Sequence, residues 1–454
     1  MEAVSGTRGE LKARRKTREE KPPTMLTKED NDLLTRTGPG MPMGRVMRRY
    51  WMPALLSSEL PGPDCAPVRV GLLGEKLLAF RDTAGKVGMV DEFCAHRRAS
   101  LFLGRNEEGG LRCVYHGWKY DVDGNCLETP TEPTGSNFKD KIHLKAYPTA
   151  EMGGMVWAYM GPREKIPSLP KFEWTQVPES HRHLSKMWQE CNWLQALEGG
   201  IDTAHASFLH RALTPNTTRP GLKGYWEKSQ TPTLEVDLTD YGYIYAAIRP
   251  LSQEEIYVRT YHYVMPFHQF FPSQIGHAGT AAKFKKPMVR GHVFVPMDDT
   301  NCMVYNWTYT FGENSLTAEE QKELDHHIGS SSAERMGDYR KIRNRKNDWL
   351  IDRQVQKNET YTGIEGINTQ DHAIQESMGA IVDRTEEHLG STDKAIVAAR
   401  LLLLQAAKTV EREVDPPGIG TSYYRLRAIE KVLPRGARWR AAMKDEICPV
   451  DHIE

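Results

Sequence analysis

Two short Cys/His pairs, with sixteen residues between them, constrain the fold of this chain more than any other feature of its sequence. The first pair is Cys94 and His96, and the second is Cys113 and His116, which a Gly-Trp dipeptide follows directly. Thiolates and imidazoles are ligands of iron and zinc, so two such pairs on separate loops can hold one metal centre. The spacing therefore predicts a domain in which two loops bring these four side chains together.

The four ligands fit two kinds of metal centre. In a [2Fe–2S] cluster with two Cys on one iron and two His on the other, neutral nitrogen ligands raise the potential to roughly −150 to +300 mV. A structural zinc site uses the same ligand types, although zinc ribbons more often carry pairs of Cys separated by two residues. The Cys-x-His spacing favours the iron–sulfur cluster, and zinc stays open as an alternative.

Composition argues against several classes of protein. Lys plus Arg and Asp plus Glu both total 60, so the formal net charge is zero, and there is no excess positive charge that would favour binding of nucleic acid. The most apolar run, residues 396–407, is interrupted by Arg400 and Gln405 and is shorter than the roughly 20 residues that span a membrane. Seven cysteines without dense spacing indicate a reducing compartment. We therefore expect a cytoplasmic protein with neither nucleic acid nor membrane as a partner.

The length favours two or more domains, preceded by a tail. Residues 1–24 contain many acidic and basic side chains and lack the apolar core of a signal peptide, so we predict a disordered tail. Organelle import is an alternative for this segment, and Met25 is a hypothetical start of the protein. From Trp51 to Gly161, short β-branched and aromatic runs separated by turns predict an all-β domain. Prolines after Gly161 mark a connection, and the predicted domains span residues 25–165 and 166–454.

The second domain shows both strand and helix patterns. A helical rhythm over Trp188 to Leu209 and a long packed helix over Thr392 to Val410 accompany a set of strand-like runs that could form one antiparallel sheet. These runs are Thr233 to Val236, Tyr243 to Ile248, Glu255 to Val264, Gly291 to Val295 and Cys302 to Phe311. The pattern predicts a mixed α and β domain.

A second candidate metal site lies within this domain. Asp202 and His205 are three residues apart, so on a regular helix they share a face, where the carboxylate can accept the second ring N–H of a metal-bound imidazole. His210 lies five residues further on, about 140° around a regular helix, and a shared metal requires a break or bulge before it. Because histidine pairs are also common in packing and at surfaces, the pair alone leaves both interpretations open.

Together the motifs resemble those of Rieske non-haem iron aromatic ring-hydroxylating oxygenases. The first site has the Rieske signature, Cys-x-His followed after sixteen residues by Cys-x2-His-Gly-Trp, and the second matches the E-x3-D-x2-H-x4-H iron segment of the α subunits. Similarity to the phthalate 4,5-dioxygenase-like group extends from Met25 over nearly the whole chain. It includes Met47 to Ala54, Met303 to Trp307, Gln375 to Gly379 and Glu387 to Gly390.

This resemblance implies roles for particular residues. Cys94, His96, Cys113 and His116 would bind the Rieske [2Fe–2S] cluster, and His205, His210 and Asp371 would bind a mononuclear Fe(II), with Asp202 as the catalytic bridge between the centres. For Asp371, a carboxylate at the start of a helix is the alternative. Glu198 would either orient the site or lie solvated on its helix.

The resemblance also implies an architecture and partners. An N-terminal all-β Rieske domain would precede a helix-grip catalytic domain, an α+β fold, in a homotrimer or homohexamer where Asp202 meets His116 of the adjacent chain. Electrons from NADH would arrive through a separate flavin and iron–sulfur reductase, since this chain has no G-x-G-x-x-G motif. The assembly would then be required for turnover.

For function, the resemblance implies a terminal oxygenase that uses O2 to hydroxylate an aromatic carboxylate, by cis-dihydroxylation of phthalate or a related benzoate. Aromatic monooxygenation and O-demethylation are alternatives within the family, and a Rieske electron carrier without oxygenase activity is an alternative of another class. A cation should hold the substrate carboxylate. Arg249 and Arg259 are candidates, although arginines in strands are more often solvated.

Overall fold

The structure is a computed structural model that describes residues 26–213, 229–272, 288–313, 315–327, 335–419 and 425–447. The predicted disordered tail, residues 1–24, and the hypothetical start at Met25 lie outside these ranges. In the part of the chain that is described, no helix has the length and apolar character needed to cross a membrane.

After two helices, short antiparallel strands make up the N-terminal part of the fold. The helices are α1 (Lys28–Thr35) and α2 (Pro42–Met47), and the strands are β1 (Trp51–Leu56), β2 (Val68–Leu72), β3 (Glu75–Arg81), β4 (Val87–Asp91), β5 (Arg105–Glu107), β6 (Gly110–Arg112), β7 (Lys119–Tyr120), β8 (Cys126–Glu128), β9 (Ala146–Tyr147), β10 (Thr149–Met152) and β11 (Met155–Tyr159). They pair in the orders β2-β3-β4-β9, β5-β6-β7-β8 and β1-β11-β10. The predicted all-β N-terminal domain is confirmed.

A large antiparallel sheet with helices follows. Its elements are α3 (Glu173–Gln176), β12 (Arg182–Gln189), α4 (Trp193–Ile201), α5 (Ala206–Leu209), β13 (Thr233–Thr239), β14 (Gly242–Pro250), β15 (Glu255–Val264), β16 (His268–Pro272), β17 (Met288–Pro296), β18 (Cys302–Thr310), α6 (Ala318–His327), α7 (Arg353–Asn358), α8 (Ile367–Ser377), α9 (Lys394–Val410), β19 (Glu430–Pro434) and α10 (Trp439–Ile447). The strand order is β12-β18-β17-β16-β15-β14-β13, and β19 pairs with β15. This confirms the predicted α+β catalytic domain.

The helix predicted to start at Trp188 starts later. Trp188 lies in β12, which pairs with β18 from Arg182 opposite Tyr309 to Gln189 opposite Cys302. A continuous antiparallel ladder satisfies the backbone of this segment, so tertiary pairing overrides the helical pattern of the sequence. Helix α4 begins only at Trp193.

One continuous hydrophobic core joins the two parts of the fold. It includes Trp157 of β11 and Trp174 of α3, whose ring centroids lie 6.1 Å apart. Across the same boundary, the backbone N–H of Leu73 donates to the carbonyl of Pro296 at 3.0 Å. The loops that carry Cys94, His96, Cys113 and His116 therefore belong to a scaffold that is packed against the large sheet.

Candidate metal centres

Two tight loops position the first set of candidate ligands. Cys94 and His96 follow β4, and Cys113 and His116 lie between β6 and β7. Each loop closes on itself: the N–H of Cys94 donates to the carbonyl of Ala99 at 2.9 Å, and the N–H of Cys113 donates to that of Trp118 at 2.8 Å. These loop hydrogen bonds hold both thiols inside the β domain, where Cys94 and Cys113 are buried.

The two imidazoles lie beside each other, and so do the two thiols. The ring centroids of His96 and His116 lie 4.4 Å apart, and His96 stacks on Trp118 at the same distance. Burial, together with the neighbouring Cys94, raises the pKa of the Cys113 thiol. The buried Nδ1 of His96 has no hydrogen-bond partner among the described residues. Because an orphaned buried nitrogen is unfavourable without a ligand, this arrangement of two thiols and two imidazoles fits a [2Fe–2S] cluster.

A hydroxyl lies against one of these sulfurs. The Oη of Tyr120 is 3.2 Å from Sγ of Cys94, and both side chains are buried. Burial, followed by this contact with the thiol, raises the pKa of Tyr120, so the phenol keeps its proton. It can donate a hydrogen bond to a sulfur that is ionised when it binds iron.

A helix break shapes the second centre. Helix α4 is capped by Asn192, whose Oδ1 accepts from the N–H of Leu194 at 3.1 Å, and it ends at Ile201. Asp202 has extended backbone angles, and α5 begins only at Ala206. The prediction that Asp202 and His205 share a face of one helix is therefore wrong, because α4 ends before Asp202 and α5 begins after His205. The departure from a regular helix required before His210 is present at the end of α5, since α5 ends at Leu209 and His210 has non-helical backbone angles.

The structure brings His205, His210 and Asp371 together. Nε2 of His205 and Nε2 of His210 lie 3.3 and 3.1 Å from Oδ1 of Asp371, which projects from α8. This buried oxygen makes no hydrogen bond of good geometry within the described residues. Three ligand atoms within 4.8 Å of one another, converging without hydrogen bonds, fit a metal ion that two histidines and one carboxylate would hold.

Charge in this centre favours a bound cation. Burial opposes ionisation of Asp371, but His210 and His205 outweigh it and hold the pKa of its carboxyl well below the usual range. Burial likewise opposes protonation of His205, yet Asp202 and Asp371 raise the pKa of this imidazole to about 10. Without a metal, the two carboxylates hold a proton on His205, and a divalent cation can take the place of that positive charge.

Two side chains fix the orientation of the imidazoles. Oδ2 of Asp202 lies 3.3 Å from Nδ1 of His205, and Oε1 of Gln370 lies 2.8 Å from Nδ1 of His210. Each contact fixes the Nδ1–H tautomer, so both Nε2 atoms are left for a metal. Sequence reasoning missed Gln370, because its partner lies 160 positions away and its only signal is its place next to Asp371.

Glu198 is buried in an ion-pair network. Its carboxylate accepts hydrogen bonds from Arg384 at 2.9 Å and from Arg400 at 2.6 Å. Burial opposes ionisation, but the two guanidinium groups outweigh it and lower the pKa of Glu198. The solvated alternative for Glu198 is wrong, and the residue anchors the last turn of α4, next to Asp202.

Two cavities adjoin the second centre. Asp371 itself lines one, and the other lies along β17. His292 and Asn368 line both. The other lining residues of the first include Ala196, Gly199, Gly200, Phe294, Val304, His372 and Gln375.

The predicted carboxylate-binding arginines lie elsewhere. Arg249 and Arg259 are buried rather than solvated, but neither lines these two cavities. Arg249 donates to the carbonyl of Thr203 at 3.0 Å, and Arg259 donates to that of Pro272 at 2.9 Å. Both guanidinium groups thus support the backbone around the site.

Comparison with known proteins identifies both parts of the chain. Residues 50–148 match the family described as Rieske [2Fe-2S] domain, and residues 158–450 match the LigXa C-terminal domain like family. The Rieske match overturns the zinc alternative for the first centre.

Full-length relatives and solved structures agree with this assignment. The chain is 38% identical to the phthalate 4,5-dioxygenase oxygenase subunit of Pseudomonas putida, over 92% of this chain and 94% of that protein. It is 37% identical to the 3-chlorobenzoate-3,4-dioxygenase oxygenase subunit of Comamonas testosteroni, over 93% and 99%. Dicamba monooxygenase bound to 3,6-dichlorosalicylic acid shares the fold, with a TM-score of 0.58 and 17% identity over 80% of this chain and 98% of that chain. The chain therefore belongs to the Rieske non-haem iron oxygenases, as an oxygenase subunit of the phthalate 4,5-dioxygenase-like group.

Proposed function

We propose that this chain is the terminal oxygenase component that uses O2 and NADH-derived electrons to hydroxylate an aromatic carboxylate, by cis-dihydroxylation of phthalate or a related benzoate. The observation that carries the proposal is the convergence of His205, His210 and Asp371 beside a cavity. An electron carrier needs no such site. The relatives that match over nearly the full chain are oxygenase subunits for phthalate and 3-chlorobenzoate.

The ligand roles belong to the same proposal. Cys94, His96, Cys113 and His116 would hold the [2Fe–2S] cluster, and His205, His210 and Asp371 would hold Fe(II). When bound, the cluster supplies single electrons and the mononuclear iron activates O2. A set of two histidines and one carboxylate is typical of non-haem Fe(II) oxygenases, and it would leave coordination positions of a bound iron available to O2.

Asp202 would carry the link between the two centres. Its side chain orients His205 and is still 24% exposed. Near the cluster, Val114 and Tyr115 are 58% and 56% exposed, so the edge that holds His116 is open to a partner. We propose a homotrimer or homohexamer in which Asp202 accepts a hydrogen bond from His116 of the adjacent chain, and a domain boundary near residue 165.

The reductase is a separate protein in this proposal. Oxygenase subunits of this family work with reductase components, and we propose an NADH-dependent flavin and iron–sulfur reductase. A cytoplasmic location suits the six described cysteines, which are free thiols in the structure, two of them as proposed cluster ligands.

Metal analysis of two variants tests the proposal. The purified wild-type chain should hold about three irons and two sulfides and show a red-brown Rieske spectrum. His205→Ala should keep the spectrum, lose about one iron, and lose hydroxylation of phthalate and benzoate in the presence of reductase, NADH and O2. His388→Ala, at an exposed histidine, is the matched control and should behave as wild type. Hydroxylation by His205→Ala would overturn the assignment of the site.

A further inference from the structure

Arg290 has an unusual environment for an arginine. It lies in β17, where side chains two residues apart share a face, so it points to the same side as His292 and Phe294. Only 4% of its surface is exposed. It lines the cavity along β17, together with His183, Ser185, Phe271, His292, Asn306 and Asn368.

The donors of this guanidinium are unsatisfied. Nε and Nη2 of Arg290 are buried and make no hydrogen bond to any residue that the structure describes. Burial, followed by repulsion from Arg259, lowers the pKa of Arg290 to about 9, against an opposing effect of Glu430. The group therefore keeps its charge near neutral pH. A buried charge with open donors is unfavourable for folding, which indicates that a ligand supplies the missing acceptors.

The two open donors are suited to one chemical group. Nε–H and the adjacent Nη2–H lie on the same edge of the guanidinium plane and point in parallel, which matches the two oxygens of a carboxylate. Arg249 and Arg259 use their Nη2 atoms on the carbonyls of Thr203 and Pro272. The Nε–Nη2 edge of Arg290, by contrast, is taken by no described residue, and the Arg290 side chain lines a cavity.

The cavity that Arg290 lines shares two wall residues with the cavity at the second metal centre. Its wall includes His292 and Asn368, and both also line the cavity that contains Asp371. Asn368 and Asp371 are three residues apart on α8 and so share one face of that helix. Nδ1 of His292 lies 2.6 Å from Oδ1 of Asn306, which fixes this ring in the wall. A molecule held at Arg290 would thus lie against the same two residues that also line the cavity of Asp371.

We propose that Arg290 binds the carboxylate of the substrate through Nε and Nη2 and directs the aromatic ring towards His205, His210 and Asp371. This inference rests on the proposed function and deepens it, because it names the specificity residue. It replaces Arg249 and Arg259 in that role.

Binding of two isosteric probes to the iron-loaded protein tests the proposal. Benzoate and benzamide have the same shape, but only benzoate carries the charge. Loss of a charge-assisted bidentate contact worth roughly 1.5–3 kcal/mol corresponds to about a 10- to 100-fold change. In Arg290→Met, the Kd for benzoate measured by calorimetry should rise by about that factor, whereas the Kd for benzamide should stay near the wild-type value or fall. Arg290→Lys should give an intermediate Kd for benzoate, since lysine keeps the positive charge but cannot donate two parallel hydrogen bonds to the carboxylate.

Controls separate binding from folding. Arg353→Met makes the same change at an exposed arginine and should leave both Kd values unchanged. Because Arg290→Met removes an unfavourably buried charge, its Tm should equal or exceed that of the wild type, which a purely structural arginine would not allow. If Arg290→Met keeps the wild-type preference for benzoate over benzamide, Arg290 is not the anchor while the proposed function stands. A wild-type protein with no preference for benzoate and no turnover of aromatic acids would overturn both.

Discussion

Replacing Gln370 by leucine should weaken iron binding at the second centre and leave the Rieske cluster intact. Oε1 of Gln370 accepts from Nδ1 of His210 at 2.8 Å, and its Nε2 donates to the carbonyl of Ile364 at 2.8 Å. Leucine keeps most of the volume but removes the acceptor, so a buried N–H on His210 loses its partner and the ring can turn. An unsatisfied buried donor costs about 1–3 kcal/mol.

Loss of an outer-shell partner typically lowers metal affinity by roughly 10- to 100-fold, in line with that free energy. We therefore expect the Kd for Fe(II) of Gln370→Leu to rise by about this factor. The assay is anaerobic Fe(II) titration of protein stripped of its mononuclear iron, with the visible absorbance of the cluster as an internal reference. The cluster absorbance should match that of the wild type.

Two further variants sharpen this test. Gln370→Glu keeps an acceptor for His210 and should bind Fe(II) nearly as well as the wild type. Gln354→Leu makes the same change on the exposed surface of α7 and should have no effect. An unchanged Fe(II) Kd in Gln370→Leu would refute the idea that this hydrogen bond positions His210.

Two other perturbations address the protein around the centres. Glu198→Gln breaks the buried ion pairs with Arg384 and Arg400 and should lower the free energy of unfolding, measured in urea, by about 3–5 kcal/mol. The pKa of Glu198 in the folded protein lies below its ordinary value of 4.5, so its ionised carboxylate stabilises the fold above about pH 4.5, and this stabilisation is lost as the pH falls through the folded pKa. The free energy of unfolding of Glu198→Gln should therefore depend less on pH in the acid range than that of the wild type. Tyr120→Phe removes the hydroxyl that contacts Cys94 and should lower the cluster's reduction potential in a redox titration, whereas an unchanged potential would show that this hydroxyl does not donate to the sulfur.

The sequence predicted best what depends on local spacing. The Cys/His pairs lie within 23 residues, and the loops that hold them are closed by their own backbone hydrogen bonds, as at Cys94 and Ala99. Strand β15 was predicted with its observed ends, Glu255 and Val264, because its β-branched and aromatic residues agree with its place inside the sheet.

Long-range contacts could not be predicted in the same way. Glu198 meets its arginines across 186 and 202 positions, and no local signal distinguishes it from a solvated helix residue. The last two residues of β12, Trp188 and Gln189, were predicted to begin a helix, and pairing with β18 places them in a strand instead. Arg290 shows its importance only once its open donors are seen inside a cavity.

The end of α5 explains how the two histidines can share a metal. On one continuous helix, His210 would lie about 140° away from His205, and Asp371 could not meet both. Because α5 ends at Leu209 and His210 has non-helical backbone angles, both Nε2 atoms lie within 3.3 Å of one carboxylate oxygen. Before this turn, the chain breaks between α4 and α5, in residues 202–205. Burial of Glu198 in the last turn of α4 fixes where the break begins, and the Asp202 contact with His205 orients the ring that follows it. The irregular segment therefore depends on a regular, firmly anchored helix, and loosening that anchor should affect iron affinity as well as stability.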